Sequence, residues 1–261
     1  MNGLNIKWAV EIKKTSLEHR NIADLLSGLG FSLINGVKFP EFTSPSIDEC
    51  SNAEQAFDLA KHLRSAFYCG TPQTDPEFTL GAVIDYSVNP PRPNYFIELQ
   101  SAVYTMSLGN VIVSTLPPSG LSDKELEKWQ AEKAEREYQL KLEYQRSRLV
   151  PAFWSNRAIK VLELLAIEQP SGEILWKIYE LAQGGAGNRE KFQNKFYISK
   201  DQFDRFKDAV HSPQVSGDLA RHAYGHRPNT TNPMSISEAK LFIHYIAYQW
   251  LKSVQTNKSD S

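Results

Sequence analysis

Cysteine is nearly absent from this sequence: Cys50 and Cys69 are the only two among 261 residues, and no CxxC pair exists. They flank a predicted helix whose length holds its ends too far apart for a disulfide. Both therefore read as reduced thiols in a cytoplasmic chain, and structural zinc is not expected. Long apolar runs are lacking too. The start, MNGLNIKWAVEIKK, alternates polar and apolar residues and reaches neither signal-peptide nor membrane-span length, so no membrane association is expected. Charge of one sign is also missing. With 29 Lys and Arg against 30 Asp and Glu the net charge is −1, which removes any global attraction toward nucleic acid or anionic lipid. The glycine pairs in LSGLG and GGAGN lack the Walker lysine and the strand-to-helix setting of a phosphate loop, and neither HExxH nor GxSxG occurs. Neither a cofactor nor a metal is expected.

What is present is globular material. Hydrophobic residues at 41% and charged residues at 23% exclude wholesale disorder, and the length accommodates two domains. Ile6, Trp8, Val10 and Ile12 alternate with Lys7, Glu11 and Lys13, the period-2 pattern of a strand with one buried face. Leu17, Ile22, Leu25 and Leu26 then share a helix face, Gly28 and Gly30 stop it, and a strand returns at Phe31 to Ile34. FPEFTSPS reads as a loop, and Ser51 with Glu54 as a capping box opening a helix that buries Ala56, Phe57, Ala60, Leu63 and Phe67. FTLGAVIDYS reads as a strand and NPPRP as a connection, with further strands in YFIELQSAVYTM and VIVST. The expected fold of residues 1–118 is an α+β layer sandwich with the order β-α-β-α-β-β-β.

A second capping box, Ser122 with Glu125, stapled by Leu121 and Leu126, opens a helix over about 123–148 in which seven acids balance seven bases. Its apolar stripe is thin: Ala131, Ala134, Tyr138 and Leu142. Residues 119–150 are expected to form a long charged helix joining the first domain to an all-α C-terminal domain at 151–255. A frayed, disordered tail is expected at 256–261. In that second domain Ala158, Val161, Leu162 and Leu165 form one helix face. Ile174, Leu175, Ile178 and Leu181 form the next, and Phe203, Phe206 and Val210 a third. A third capping box, Ser235 with Glu238, starts a final helix directing Ala239, Phe242, Ile243, Ile246 and Trp250 inward.

The chemistry-bearing stretch is RHAYGH. Arg221 and His226, with His222 beside the arginine, resemble the R-x4-6-H motif of HEPN domains, helical bundles that include metal-independent ribonucleases of toxin and defence systems. The resemblance implies catalytic roles for these three residues, His226 as general acid or base on RNA and Arg221 stabilising charge on the phosphate. Arg205 and His211 fit the same spacing. The surrounding SGDLARHA through NPMSISEA is similar to C-terminal segments of uncharacterised bacterial proteins, which implies a bacterial origin.

A structural alternative makes Arg221, His222, His226 and Arg227 cations at a helix C-terminus, with Asp218 as a counter-charge. A metal cluster of His211, His222, His226 and His244 with Asp204 or Asp208 is possible on paper, without HExxH or paired i, i+4 spacing. In the first domain, Asp85 with Glu98 and Gln100 resembles in outline the carboxylate pair of PD-(D/E)xK nucleases, which implies magnesium-dependent cleavage. The favoured expectation is a bacterial binding or scaffold protein that self-associates, or takes a protein partner, through the charged helix or the last helix. Ribonuclease activity on RNA is the alternative.

Overall fold

The computed structural model describes residues 6–70, 78–96, 117, 122–224 and 227–256. The fold is mixed α+β, and the chain divides into two compact units, Met1–Phe153 and Trp154–Ser261. The first runs β1 (Trp8–Lys14), α1 (His19–Ser27), β2 (Ser32–Asn35), β3 (Pro40–Thr43), α2 (Pro45–Asp48), α3 (Ala53–Gly70), β4 (Thr79–Asp85), β5 (Arg92–Asn94) and α4 (Asp123–Trp154).

Among the described residues five strands form one antiparallel sheet in the order β2-β3-β1-β4-β5. β1 takes the centre, where Trp8, Ala9, Val10 and Ile12 are all buried. Val10 faces Phe42 on one side and Val83 on the other, so alternation holds only toward the end of the strand. A chain of rings fills the core. Phe31 meets Phe42 at 5.9 Å, Phe42 meets Phe78 at 6.3 Å, and Phe78 stacks on Phe67 of α3 at 4.6 Å.

Two expected non-strands are strands. β3 lies inside the stretch read as a loop, because its single proline is the first strand residue and Phe42 is fully buried between β1 and β2. β5 begins inside the proline-rich connection, and among the described residues it is an edge strand, with Pro93 opposite Ile84. The order among the described residues is therefore β-α-β-β-α-α-β-β, not β-α-β-α-β-β-β. Of the strands expected in YFIELQSAVYTM and VIVST, all but Tyr95 and Phe96 lie outside the described residues.

The cap of α3 is shifted by one residue. Asn52, not Ser51, accepts from the backbone N–H of Gln55, and the Gln55 side chain accepts from the N–H of Ser51. The chain offers two overlapping cap patterns here, and the amide pair wins over Ser51–Glu54. All five residues expected to be buried on this helix are buried.

α4 continues through Pro151 to Trp154, past the end expected at about 148. Proline removes one backbone donor there, and the burial of Leu149, Ala152 and Phe153 offsets that loss. Its first half is solvent-facing, whereas Leu142, Gln145 and Leu149, spaced 3 and 4 apart, are buried in the first unit. The Arg20 guanidinium of α1 forks onto the Glu135 carboxylate at 2.8 and 3.0 Å. Asn21 donates to Gln145 at 3.0 Å, Tyr138 donates to Asp24, and Arg146 donates to the Asp24 carbonyl at 2.6 Å. From Glu135 onward α4 is thus a packed element of the first unit.

The second unit runs α5 (Asn156–Leu165), α6 (Gly172–Gln183), α7 (Arg189–Lys195), α8 (Lys200–His211), α9 (Pro213–Ser216) and α10 (Ile236–Thr256). Serines 155, 171 and 199 cap α5, α6 and α8, the last in a complete capping box with Gln202. α6 packs against α5, α8 and α10. Accordingly Leu175, Trp176, Ile178, Tyr179 and Ala182 are buried nearly all round it, as a central helix requires. α10 opens with the expected Ser235–Glu238 box and buries Ala239, Ile243, Ile246, Ala247 and Trp250. Among the described residues no helix is long and apolar enough to cross a membrane.

Candidate functional site

The segment after α8 is built as a wrap over the end of that helix. A helix ends with four carbonyls lacking internal partners. Here the Ser216 hydroxyl donates to the Ala209 carbonyl at 2.5 Å, the Arg221 N–H to Val210 at 2.7 Å, and the Ser212 N–H to Asp208 at 3.0 Å. Pro213 and Gly217, the latter at φ 55°, break the helix so that the chain can turn back. Arg221 to Tyr224 have irregular backbone and are not the C-terminal turn of a helix that the structural alternative expected.

The side chains of this segment lie on a stack of rings rooted in α6. Trp176 is buried and donates through its indole N–H to Glu180 at 2.7 Å. The His211 ring meets Trp176 edge-on at 4.5 Å, His222 stacks on His211 at 5.0 Å with 17° between planes, and the Arg221 guanidinium sits 5.8 Å from the Trp176 ring. This places the Arg221 guanidinium against an aromatic ring and the His222 imidazole on a second imidazole. Gly172 permits the close approach of α6 to α8, since a Cβ there would lie 2.2 Å from the Val210 carbonyl oxygen.

Of the three residues named for catalysis, the structure places Arg221 and His222, both exposed, and brings each onto a ring beneath it. His226 lies outside the described residues. The second spacing match does not converge. Arg205 donates from Nε to the Asn232 carbonyl at 2.7 Å, while His211, also on α8, is buried against Trp176 of α6.

The connector from Arg227 to α10 is tied down by a residue absent from the motif. Asp208 is fully buried, and its Oδ2 accepts from the N–H of Asn229 at 2.8 Å and from the N–H and hydroxyl of Thr230 at 2.7 and 2.8 Å. The Arg205 carbonyl also accepts from the Met234 N–H at 3.3 Å. No spacing rule marks Asp208. The signal available was an aspartate between Lys207 and Ala209 on a helix, which is common.

Asp85 closes a turn. Its Oδ1 accepts from the Ser87 hydroxyl at 2.5 Å and the Ser87 N–H at 3.0 Å, and its Oδ2 faces Arg92 at 3.4 Å. These bonds, the Ser87 hydroxyl foremost, hold its carboxyl below the usual aspartate value. Glu98 and Gln100, its expected partners, lie outside the described residues. Among the described residues no three His, Cys, Asp or Glu side chains gather to hold a metal ion. Compared with family models, curated proteins and solved structures, the chain matches none of them.

Proposed function

We propose that this chain is a non-catalytic binding or scaffold protein that pairs with a second copy of itself through α10. Support comes from one face of that helix. Leu241, Tyr245 and Tyr248 are large, apolar and exposed at 72%, 61% and 43%. With Glu238 before them and Lys252 after them, both exposed, the spacing is 3, 4, 3, 4, the a/d period of a helix–helix seam. Lys252 lies 4.6 Å from the Tyr248 ring, extending the seam by one position.

The charges commit the occupant. Glu238 is acidic, Lys252 is basic, and they stand about 21 Å apart at 1.5 Å per residue. A two-fold axis near Tyr245 lays the acidic end of one copy beside the basic end of the other, twice, with the tyrosines between. A residue set at the helix surface without such a partner leaves three large apolar groups in water. The ring stack under Arg221 and His222 and the clamp at Asp208 give the neighbouring segment a structural role that needs no substrate.

Sedimentation equilibrium across micromolar concentrations tests the pairing. Wild type is expected to dimerise, and the Leu241→Glu/Tyr245→Glu variant to be monomeric with unchanged helical circular dichroism. Lys252→Glu alone is expected to weaken the dimer roughly 3- to 30-fold, through two exposed charge pairs. A wild type that stays monomeric over the whole range removes the proposal.

A further inference from the structure

We infer that the helical unit carries a binding site for a small phosphorylated molecule with a flat aromatic ring, the chemistry of a nucleoside phosphate. The site is a concavity of about 860 Å3 formed where the start of α5, the end of α6, α7 and the end of α10 come together. That volume lies within the range of roughly 300 to 1,000 Å3 usual for small-molecule sites.

Its charge is one-sided. Arg157, Lys191 and Lys195 line it, and among the described residues no Asp or Glu side chain does. In a chain whose acids and bases nearly cancel, three cations in one hollow form a local positive field that favours a multiply charged anion over a single carboxylate. Ser155 and Asn156, at the N-terminal end of α5, add the positive end of a ten-residue helix dipole to the same wall.

Arg157 is held in place before any ligand arrives. Its guanidinium sits 5.5 Å from the ring of Trp250. It also packs against Gly184, the left-handed cap of α6, where a Cβ would stand 2.3 Å from Nη1. An arginine already ordered on an aromatic face loses less freedom when it forks onto a phosphate.

Four aromatic residues line the hollow as well, beside Ala182, Gln183, Asn188, Ser253 and Val254. Phe192 and Phe196 meet at 4.9 Å, and Trp154 and Trp250 also line the hollow. Trp250 and Phe192 are buried, so the ring surface open to a ligand is that of exposed Trp154 and half-buried Phe196. Phosphate alone has no use for it, whereas a planar base stacks on it. Rings beside cations thus specify a ligand that carries both parts.

The site goes beyond self-association and does not require it. Trp250 lies on the face of α10 opposite Tyr245, at 100° per residue, so pairing of copies leaves the hollow open.

Isothermal titration calorimetry of the full chain tests the site with three probes: ADP, inorganic pyrophosphate and adenosine. ADP is expected to bind about tenfold or more tightly than either fragment. Lys191→Ala/Lys195→Ala is expected to weaken ADP about tenfold or more with unchanged circular dichroism and an unchanged dimer. Arg157→Gln is expected to act in the same direction, and the Leu241→Glu/Tyr245→Glu variant to bind ADP like wild type. The inference is overturned if ADP gives no heat up to about 5 mM, or if the lysine variant binds ADP as wild type does. Pyrophosphate binding as tightly as ADP removes the aromatic part of the ligand. An oligoribonucleotide that binds through these lysines while ADP does not replaces the small molecule with RNA.

Discussion

The carboxylate of Asp208 and the backbone and hydroxyl of Thr230 are joined by two hydrogen bonds across 22 residues of sequence, at 2.7 and 2.8 Å. One buried oxygen thereby organises the connector that leads into α10. A carboxylate accepting several N–H and O–H bonds is a frequent device for holding irregular backbone, because each orphan donor would otherwise cost free energy.

Removing that oxygen should loosen the connector before it unfolds the helices. Asp208→Ala is expected to cost about 2–4 kcal/mol, the range for losing charge-assisted bonds at a buried site. Urea titration followed by circular dichroism measures it. A loss below about 0.5 kcal/mol, the level of an ordinary surface substitution, would show that the connector holds its shape without Asp208.

Glu41 predicts a pH dependence. It is buried on β3 directly opposite Glu11 of β1, and Tyr86 donates to it at 2.8 Å. Burial pushes its carboxyl above the ordinary value, the Tyr86 bond opposes the shift, and the Glu11 charge adds to it. Tyr86 itself is pushed up to about 12, chiefly by burial, so it remains a neutral donor. A carboxyl whose folded pKa is raised binds its proton more tightly in the native state. Its contribution is then most favourable below the unfolded value and declines as pH rises through the folded one. Glu41→Gln keeps an acceptor for Tyr86 and removes the charge, so the variant should gain in Tm relative to wild type more at pH 7 than at pH 4. Equal differences at the two pH values would contradict the assignment.

Arg221 and His222 predict a negative result with a defined reversal. Wild type is expected to leave RNA intact in EDTA. Arg221→Ala should cost only about 0.5–1 kcal/mol of stability, the worth of an exposed cation–π contact. Cleavage of RNA in EDTA that disappears in both Arg221→Ala and His226→Ala, with folding retained, would instead establish the HEPN-like alternative.

What was legible differs by element. The inward face of α10 and its Ser235–Glu238 cap were readable because both depend on neighbours three or four residues apart. At Asn52 the cap type was legible but its register was not, since Ser51 and Asn52 both suit the role and each has an acceptor three residues on. β3 and β5 were illegible. Four and three residues with prolines carry no period, and their pairing is set by β1, β2 and β4. The spacing of Arg221 and His226 was visible, but the Trp176 and His211 rings beneath Arg221 and His222 were not, because those rings come from α6 and α8.

The order of residues alone determined where most helices run, what starts them and which face of each is apolar, since these are decided within one or two turns of backbone. Only the tertiary structure decided which exposed positions remain in water, as at Leu241 and Tyr245. It alone gathered Arg157, Lys191, Lys195 and Trp250 around one hollow. Contacts between residues tens of positions apart depend on how helices pack, and no local pattern encodes that packing.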